Sequence, residues 1–274
     1  MREPPLFELP YDAVWKLDER FFLDVEHRYA KTHRVLLRAA GDLTGARMLD
    51  LGCSRGMLLE RFRRYDGVEL RGLELDPVDR VEAEARGIRV DQFQINVYEG
   101  GQITARLPYD DASFDVVLAA EIIEHIVDTE GFVREIARVL RPEGAAFFST
   151  PNILWWKYRL DLVLGRYPDP LEHRLLYGTD FGHVRIFTPA LLRRLVEEQG
   201  FDVVCVAGKR LGPISTLTRT PRGVARVLDS LATRLPSLSD DVLLSARKRA
   251  TSPAAEEGEV PGLEEDGVGR GGAH

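Results

Sequence analysis

The sequence predicts an α/β fold: an open, mostly parallel sheet with helices on both faces and an antiparallel strand at its end. Three observations predict it. Between residues 46 and 150 apolar, strand-like runs alternate with helix-period segments, the pattern of successive β-α-β units. The run FDVVLAA (114–120) is apolar throughout, as a strand covered on both faces must be. Finally, MLDLGCSRGMLLERF (48–62) passes from an apolar run through a loop bounded by Gly52 and Gly56 into a helical pattern. Such a strand-turn-helix step forms a ligand crevice at the carboxyl edge of these sheets.

Taken in order, residues 1–17 carry prolines at 4, 5 and 10 and read as irregular. Residues 18–40 read as a helix, with Phe22, Val25, Tyr29, Val35 and Leu36 on one stripe and Gly41 as its stop. Strand 46–51 and helix 57–65 follow, then strand 68–75 and a helix over 77–87 that has Pro at its start and Gly at its end. Residues 90–97 read as a weaker strand, 114–120 as the central one, 129–141 as a helix closed by Pro-Glu-Gly, and 145–150 as a strand. After Pro151 the chain turns aromatic and arginine-rich as far as residue 188. Within it, 152–166 reads as a helix with Trp155, Trp156, Leu160 and Leu164 apolar and Lys157, Arg159 and Arg166 basic. Leu160 and Leu164 are expected to be buried against the core; the other reading is an interfacial helix in peripheral contact with a membrane. An amphipathic helix (189–200), a strand (201–208), a basic stretch with one helix near 222–234, and a last strand (240–248) complete the pattern. Residues 251–274, rich in Gly, Pro and Glu, are expected to be disordered. The organisation predicted is a helical lid (1–40), one α/β domain (41–250) with insertions at 151–188 and 209–238, and a tail.

With 274 residues, 44% of them hydrophobic, the chain can bury one full core. The net charge of −7 argues against a duplex nucleic-acid partner, which calls for a basic face. Two distant cysteines offer no disulfide framework, the N-terminal stretch has no signal pattern, and no apolar run reaches membrane-span length. The expected location is cytoplasmic, either free or peripheral to a membrane.

The glycine-bounded turn has a definite chemistry. A dinucleotide site wants G-x-G-x-x-G, and here Ser54 stands at the middle glycine; the Gly-Lys-Ser/Thr ending of a phosphate loop is missing. Asp50 would repel a pyrophosphate and suits a cationic ligand. Glu74, ending the next strand, stands where a carboxylate accepts ribose hydroxyls. A cation-tolerant loop beside a ribose-binding acid points to S-adenosylmethionine. Cys53 has no basic sequence neighbour to lower its pKa and reads as a small apolar loop residue. Asp76, before Pro77, reads as a helix N-cap.

LDLGCSRG (49–56), GLELD (72–76), LPYDDASFDVVLAAEIIEHI (107–126) and LRPEGAAFFSTPN (140–152), in this order and spacing, resemble class I S-adenosylmethionine-dependent methyltransferases over about residues 40–210 and the last strand. The resemblance implies a Rossmann-like seven-stranded doubly wound sheet with a terminal antiparallel strand and helical acceptor-side insertions. It implies that Asp50, Gly52, Cys53, Ser54 and Gly56 line the methionine half of the cofactor, that Glu74 holds the ribose, and that Ala120 and Glu121 line the methyl-donor pocket. The family's adenine-side acid is missing from its usual place before Leu107-Pro108, and Asn96 or Gln102 is the expected substitute.

Methyl transfer from a sulfonium mainly requires an aligned acceptor and excluded water, helped by a base or a metal. Glu121, Glu124 and His125 lie at the active-site edge, and a helical turn there would put Glu121 on one face with the other two. The resemblance allows this trio to hold Mg²⁺ or Zn²⁺, as in the ubiquinone-pathway O-methyltransferases and the small-RNA 3′-end methyltransferases; the latter add a later histidine, here His183. Without metal, His125 or His183 is the expected general base. The basic stretch with Lys209, Arg210, Arg219, Arg222, Arg226 and Arg234 is either a phosphate clamp or a solvated face. The resemblance leans towards O-methylation of a sugar or glycan (lipid- or nucleotide-linked forms included) or of a small metabolite such as a quinone-like phenol. A metal-dependent RNA 3′-end 2′-O-methyltransferase and a non-catalytic cofactor-binding scaffold are the alternatives.

Overall fold

The computed structural model describes residues 19–166, 183–212 and 222–250. The predicted lid residues 1–18 and the tail 251–274 lie outside them. The chain runs α1 (Glu19–Ala40), β1 (Arg47–Leu51), α2 (Met57–Glu60), β2 (Glu69–Leu73), α3 (Pro77–Ala85), β3 (Arg89–Asp91), β4 (Asn96–Glu99), β5 (Gln102–Ala105), β6 (Phe114–Ala120), α4 (Thr129–Val139), β7 (Leu140–Pro151), α5 (Trp156–Val163), α6 (Pro189–Glu198), β8 (Phe201–Gly208), α7 (Arg222–Arg234) and β9 (Asp241–Lys248).

Seven strands form one sheet in the order β3-β2-β1-β6-β7-β9-β8. β3, β2, β1, β6 and β7 are parallel, and β9 inserts antiparallel between β7 and β8. The strand order reverses between β1 and β6, which puts the topological switch point beside the turn after β1. The predicted doubly wound sheet with its antiparallel strand is therefore present.

The apolar residues divide by face. Leu36, Leu59, Phe62 and Phe147 are fully buried on one side with α1; Leu49, Phe132, Phe148 and Leu192 are fully buried on the other with α4 and α6. Removing each such side chain from water contributes about 1.5–3 kcal/mol. β6 matches its predicted range because its apolar run is covered on both sides.

Three readings of the sequence are corrected. Residues 90–97 do not form one strand: β3 ends at Asp91, and Asn96–Ala105 is a separate two-stranded antiparallel hairpin. The helix predicted over 57–65 continues from α2 as a 3₁₀ turn, Arg61–Arg64. In α5 the buried side chains are Trp155 and Tyr158, packed edge to face with ring centroids 4.9 Å apart, while Leu160 and Leu164 are exposed. No helix among the described residues is long and apolar enough to cross a membrane.

Candidate active site

The turn after β1 is shaped by two glycines. Gly52 (φ +68°) and Gly56 (φ +76°) are left-handed, and a Cβ on either would sit 2.6 Å from Ile122 or 2.5 Å from Ile88. The N–H groups of Gly52 and Cys53 donate to the Leu73 carbonyl at the end of β2 (2.8 and 3.1 Å). Glu74 fastens the two loops further. Its carboxylate accepts from the backbone N–H of Ser54 (2.8 Å), Leu75 (2.8 Å) and Asp76 (2.9 Å). A carboxylate offers about four lone-pair positions, so Glu74 can still accept from a hydroxyl in the cavity that it lines. Asp76 caps α3, accepting from Val78 and Asp79 N–H at 2.7 and 3.2 Å.

That cavity measures about 480 Å³, within the usual range for a small-molecule site. Gly52 and Glu74 stand on one wall and Glu121 and His125 on another; Leu75, Phe93 and Ile95 make an apolar end. Asn96 also lines it, but its amide is committed: Nδ2 donates to the His125 carbonyl (3.0 Å), and Oδ1 accepts from Val127 N–H (3.1 Å). Asn96 thus holds the His125 loop in place. Gln102 is on the hairpin and is not among the lining residues. Phe93, Gln94 and Ile95 are not singled out by the sequence; the one signal is a phase shift of the alternation at Asp91-Gln92, after which Phe93, Ile95 and Val97 alternate again.

Asp50 is 2% exposed, and its Oδ1 has no hydrogen-bond partner. Burial pushes its carboxyl up to about 8, the charge of Glu74 adds to this, and Arg28 opposes it. An ionised carboxylate left so is costly, and a cation placed against it removes the cost. Together with the backbone cradle and the spare acceptor capacity of Glu74, this orphaned carboxylate fits a ligand with a cationic amino-acid end and a ribose. Cys53 is buried, and its thiol is raised, first by burial and then by Asp50 and Glu74, so it offers no thiolate. The Ser54 hydroxyl donates to Asp79 (2.7 Å).

Across the cavity, Ala120 ends β6 and packs on the core. Glu121 has a left-handed φ of 56°; its N–H donates to the Ser149 carbonyl (3.0 Å) and its Oε1 accepts from Ser149 Oγ (2.6 Å). Its carboxyl is pushed up to about 7, by burial first and Asp241 next, with Arg28 and Lys209 opposing. Ile123–His125 is a 3₁₀ turn, so the helical face expected to unite Glu121, Glu124 and His125 does not form.

His183 joins the turn instead. The N–H groups of Val184 and Arg185 donate to the Glu124 carbonyl (2.8 and 3.1 Å). His183 Nε2 lies 4.0 Å from Glu124 Oε1, and the His125 and His183 rings meet edge to face at 5.0 Å. Ligand atoms of Glu124, His125 and His183 all fall within 4.8 Å of one another, and Glu121 stands outside this group. Glu124 is buried with Oε2 unpartnered, and burial followed by the Glu121 charge raises its carboxyl.

The phosphate-clamp reading of the basic stretch does not hold for its first two members. Lys209 and Arg210 are buried; Lys209 contacts Asp241, and Arg210 Nη2 lies 2.5 Å from Asp240 Oδ2. Arg219 lies outside the described residues.

A family described as "Methyltransferase domain" matches residues 24–206. The chain is 32% identical over 177 residues to a ubiquinone biosynthesis O-methyltransferase of Azoarcus sp. (strain BH72), covering 63% of this chain and 71% of that one. It is 28% identical over 212 residues to the protein of the same name from Aeromonas salmonicida (strain A449), covering 73% and 84%. Among solved structures, a SAM-dependent methyltransferase from Thermotoga maritima aligns with a TM-score of 0.55 at 19% identity, covering 84% of this chain and 94% of that one. One from Listeria monocytogenes aligns with a TM-score of 0.56 at 14% identity, covering 83% and 99%. These two show the fold alone. With the family match spanning most of the chain, and with a cradle suited to a cationic, ribose-bearing donor, the chain belongs to the class I S-adenosylmethionine-dependent methyltransferases.

Proposed function

We propose that this methyltransferase acts on a hydroxyl oxygen of a small, largely apolar acceptor of the phenol class. The observation that carries the reading is the Glu124–His125–His183 group, whose His125 lines the cavity beside Glu121 while Glu124 and His183 stand behind it. In the transfer, the sulfonium S–CH₃ bond breaks as the O–CH₃ bond forms, and the hydroxyl proton must leave; an imidazole beside the acceptor can take it. Ile122, Ile126, Val127 and Val184 also line the cavity and offer an aromatic ring more than they offer a polyol, which favours a phenol over a sugar or glycan. The printed names of the curated relatives, O-methyltransferases of ubiquinone biosynthesis, support the same class. The burial of Lys209 and Arg210 against Asp240 and Asp241 weighs against an RNA acceptor.

One carboxylate and two imidazoles fit Zn²⁺ better than Mg²⁺, which prefers oxygen ligands. Held by Glu124, His125 and His183, such an ion would lower the pKa of an acceptor hydroxyl.

The test is S-adenosylhomocysteine release with a panel of phenols, catechols and sugars, on enzyme as purified, after EDTA, and after Zn²⁺ is restored. A phenol or catechol is expected to turn over. His125→Ala and His183→Ala are each expected to lower kcat by roughly 10²- to 10⁴-fold with donor affinity unchanged. Turnover of sugars alone, or full rates in both variants, would overturn the reading.

A further inference from the structure

The segment 183–187 carries His183 to the active site, and its two ends are held differently. At the far end Phe187 is buried and pairs with Asn152 as an isolated β-bridge, and its carbonyl accepts from Ile153 N–H (3.1 Å). Towards His183, Val184 is only half-buried, and Arg185 and Ile186 are exposed. Apolar packing therefore fixes Phe187 and contributes little beside His183. Hydrogen bonds must place that end.

Those bonds converge on the loop that carries His125. The carbonyl of Glu124, one residue before His125, accepts from the N–H groups of Val184 and Arg185. Val127, two residues after His125, has both its backbone polar groups taken by side chains. Its N–H donates to Asn96 Oδ1 (3.1 Å), and its carbonyl accepts from Arg185 Nε (3.2 Å) and Nη2. Asn96 Nδ2 also donates to the His125 carbonyl (3.0 Å). The His125 loop is thus gripped from hairpin β4-β5 on one side and from the His183 segment on the other. The edge-to-face contact of the two imidazoles lies within this grip.

Arg185 is well suited to that use. A guanidinium commonly forks onto a carboxylate. Among the described residues Arg185 makes no ion pair, and two of its donors go to one uncharged carbonyl. Because Arg185 is exposed, its removal leaves no buried charge behind. The loss should therefore appear in the placement of His183 and not in the stability of the fold.

We propose that Arg185 and Asn96 are positioning residues: gripping Val127 from its two sides, they hold the His183 segment against the His125 turn and set the geometry of the two imidazoles. The effect on turnover rests on the proposed role of those imidazoles in methyl transfer; the effect on their geometry does not.

The experiment joins kinetics to histidine NMR on the full-length protein with S-adenosylhomocysteine bound. The variants are Arg185→Ala, Arg185→Lys and Asn96→Asp, the last of which keeps the acceptor for Val127 N–H and loses the donor to the His125 carbonyl. The wild-type protein is expected to show a nuclear Overhauser contact between the His125 and His183 ring protons. Arg185→Ala should abolish it, Asn96→Asp should weaken it, and Arg185→Lys should restore part of it. With a phenol that the wild type methylates, kcat should fall roughly 10- to 100-fold in Arg185→Ala and by less in Arg185→Lys. Acceptor KM should change less than about threefold, with S-adenosylmethionine Kd and Tm unchanged. No ring contact in the wild type, or a full contact in both Arg185→Ala and Asn96→Asp, would overturn the proposal. So would a large loss of Tm and of donor binding in Arg185→Ala, which would make Arg185 part of the scaffold. A lost ring contact with turnover at the wild-type rate would uphold the positioning and sink the imidazoles' part in the chemistry.

Discussion

The two ends of the sheet's carboxyl edge bury charge in opposite ways. Around the turn after β1 and the 3₁₀ turn after β6, Asp50 and Glu124 are carboxylates that each keep one oxygen without a hydrogen bond, and burial raises both. At the start of β9, Asp240 and Asp241 are just as buried but face Arg210 and Lys209; burial still raises the Asp240 carboxyl, with Lys209 and Arg210 opposing it, while Asp229 receives Lys31 and His27 and is held well below the usual carboxylate range. Taking a carboxylate out of water has the same cost at either place. Where the chain supplies the counter-charge itself, the result is scaffold; where it leaves a place open, the counter-charge must come with a ligand.

The largest effect should come from the paired end. Asp240→Ala leaves buried Arg210 without its carboxylate partner and is expected to cost about 3–5 kcal/mol of stability. In a domain of this size that is a fall of roughly 10 °C in Tm. S-adenosylmethionine affinity, measured well below the new Tm, should not change. If stability holds and cofactor binding fails, the division between the two ends is drawn in the wrong place.

Asp50→Ala should show the reverse pattern. It removes an unpaired buried carboxyl, so Tm should stay the same or rise. The cofactor's cationic end loses a charge-assisted partner worth about 1.5–3 kcal/mol, so its Kd should rise roughly 10- to 150-fold. Titration calorimetry beside a thermal melt reads both quantities. A melting loss as large as that of Asp240→Ala would mean that Asp50 serves the scaffold.

The same contrast explains what the sequence could disclose. The sheet strands were legible because burial on both faces forces unbroken apolar runs, as in 114–120. The cradle was legible because Gly52, Gly56 and Glu74 meet local demands that few other residues satisfy. The hairpin 96–105 was not read, although Gly100-Gly101, both with positive φ, marks its turn; the run 90–97 ahead of it is apolar enough to pass for one strand. The grouping at His125 was misjudged because it depends on φ = 56° at Glu121 and on two backbone hydrogen bonds from residues 184 and 185, long-range facts that spacing does not carry. The face of α5 stays open between a buried and an interfacial reading for a related reason: periodicity locates an apolar face but not the direction in which it points, and Leu160 and Leu164 point outwards.

The smallest effect is also the most specific. In the free protein the Asp50 carboxyl sits at about 8, so at neutral pH it is largely protonated. A cationic ligand binds the ionised form, and binding must therefore expel a proton. Below pH 8 the cofactor affinity should rise with pH by up to about tenfold per unit, and above it the rise should flatten. Stability of the free protein runs the other way. Between the ordinary carboxylate range and pH 8 the native state holds one proton more than the unfolded chain, so the Asp50 contribution is lost as pH rises through that window. Glu121, pushed up to about 7, acts in the same direction over a lower range, and Asp50→Asn separates the two. In that variant the rise in affinity between pH 7 and 8 should largely vanish. Calorimetry in two buffers of different ionisation enthalpy counts the released proton directly. An affinity independent of pH in the wild-type protein would show that Asp50 is already ionised before the cofactor arrives, with its counter-charge drawn from Arg28 and not from the ligand.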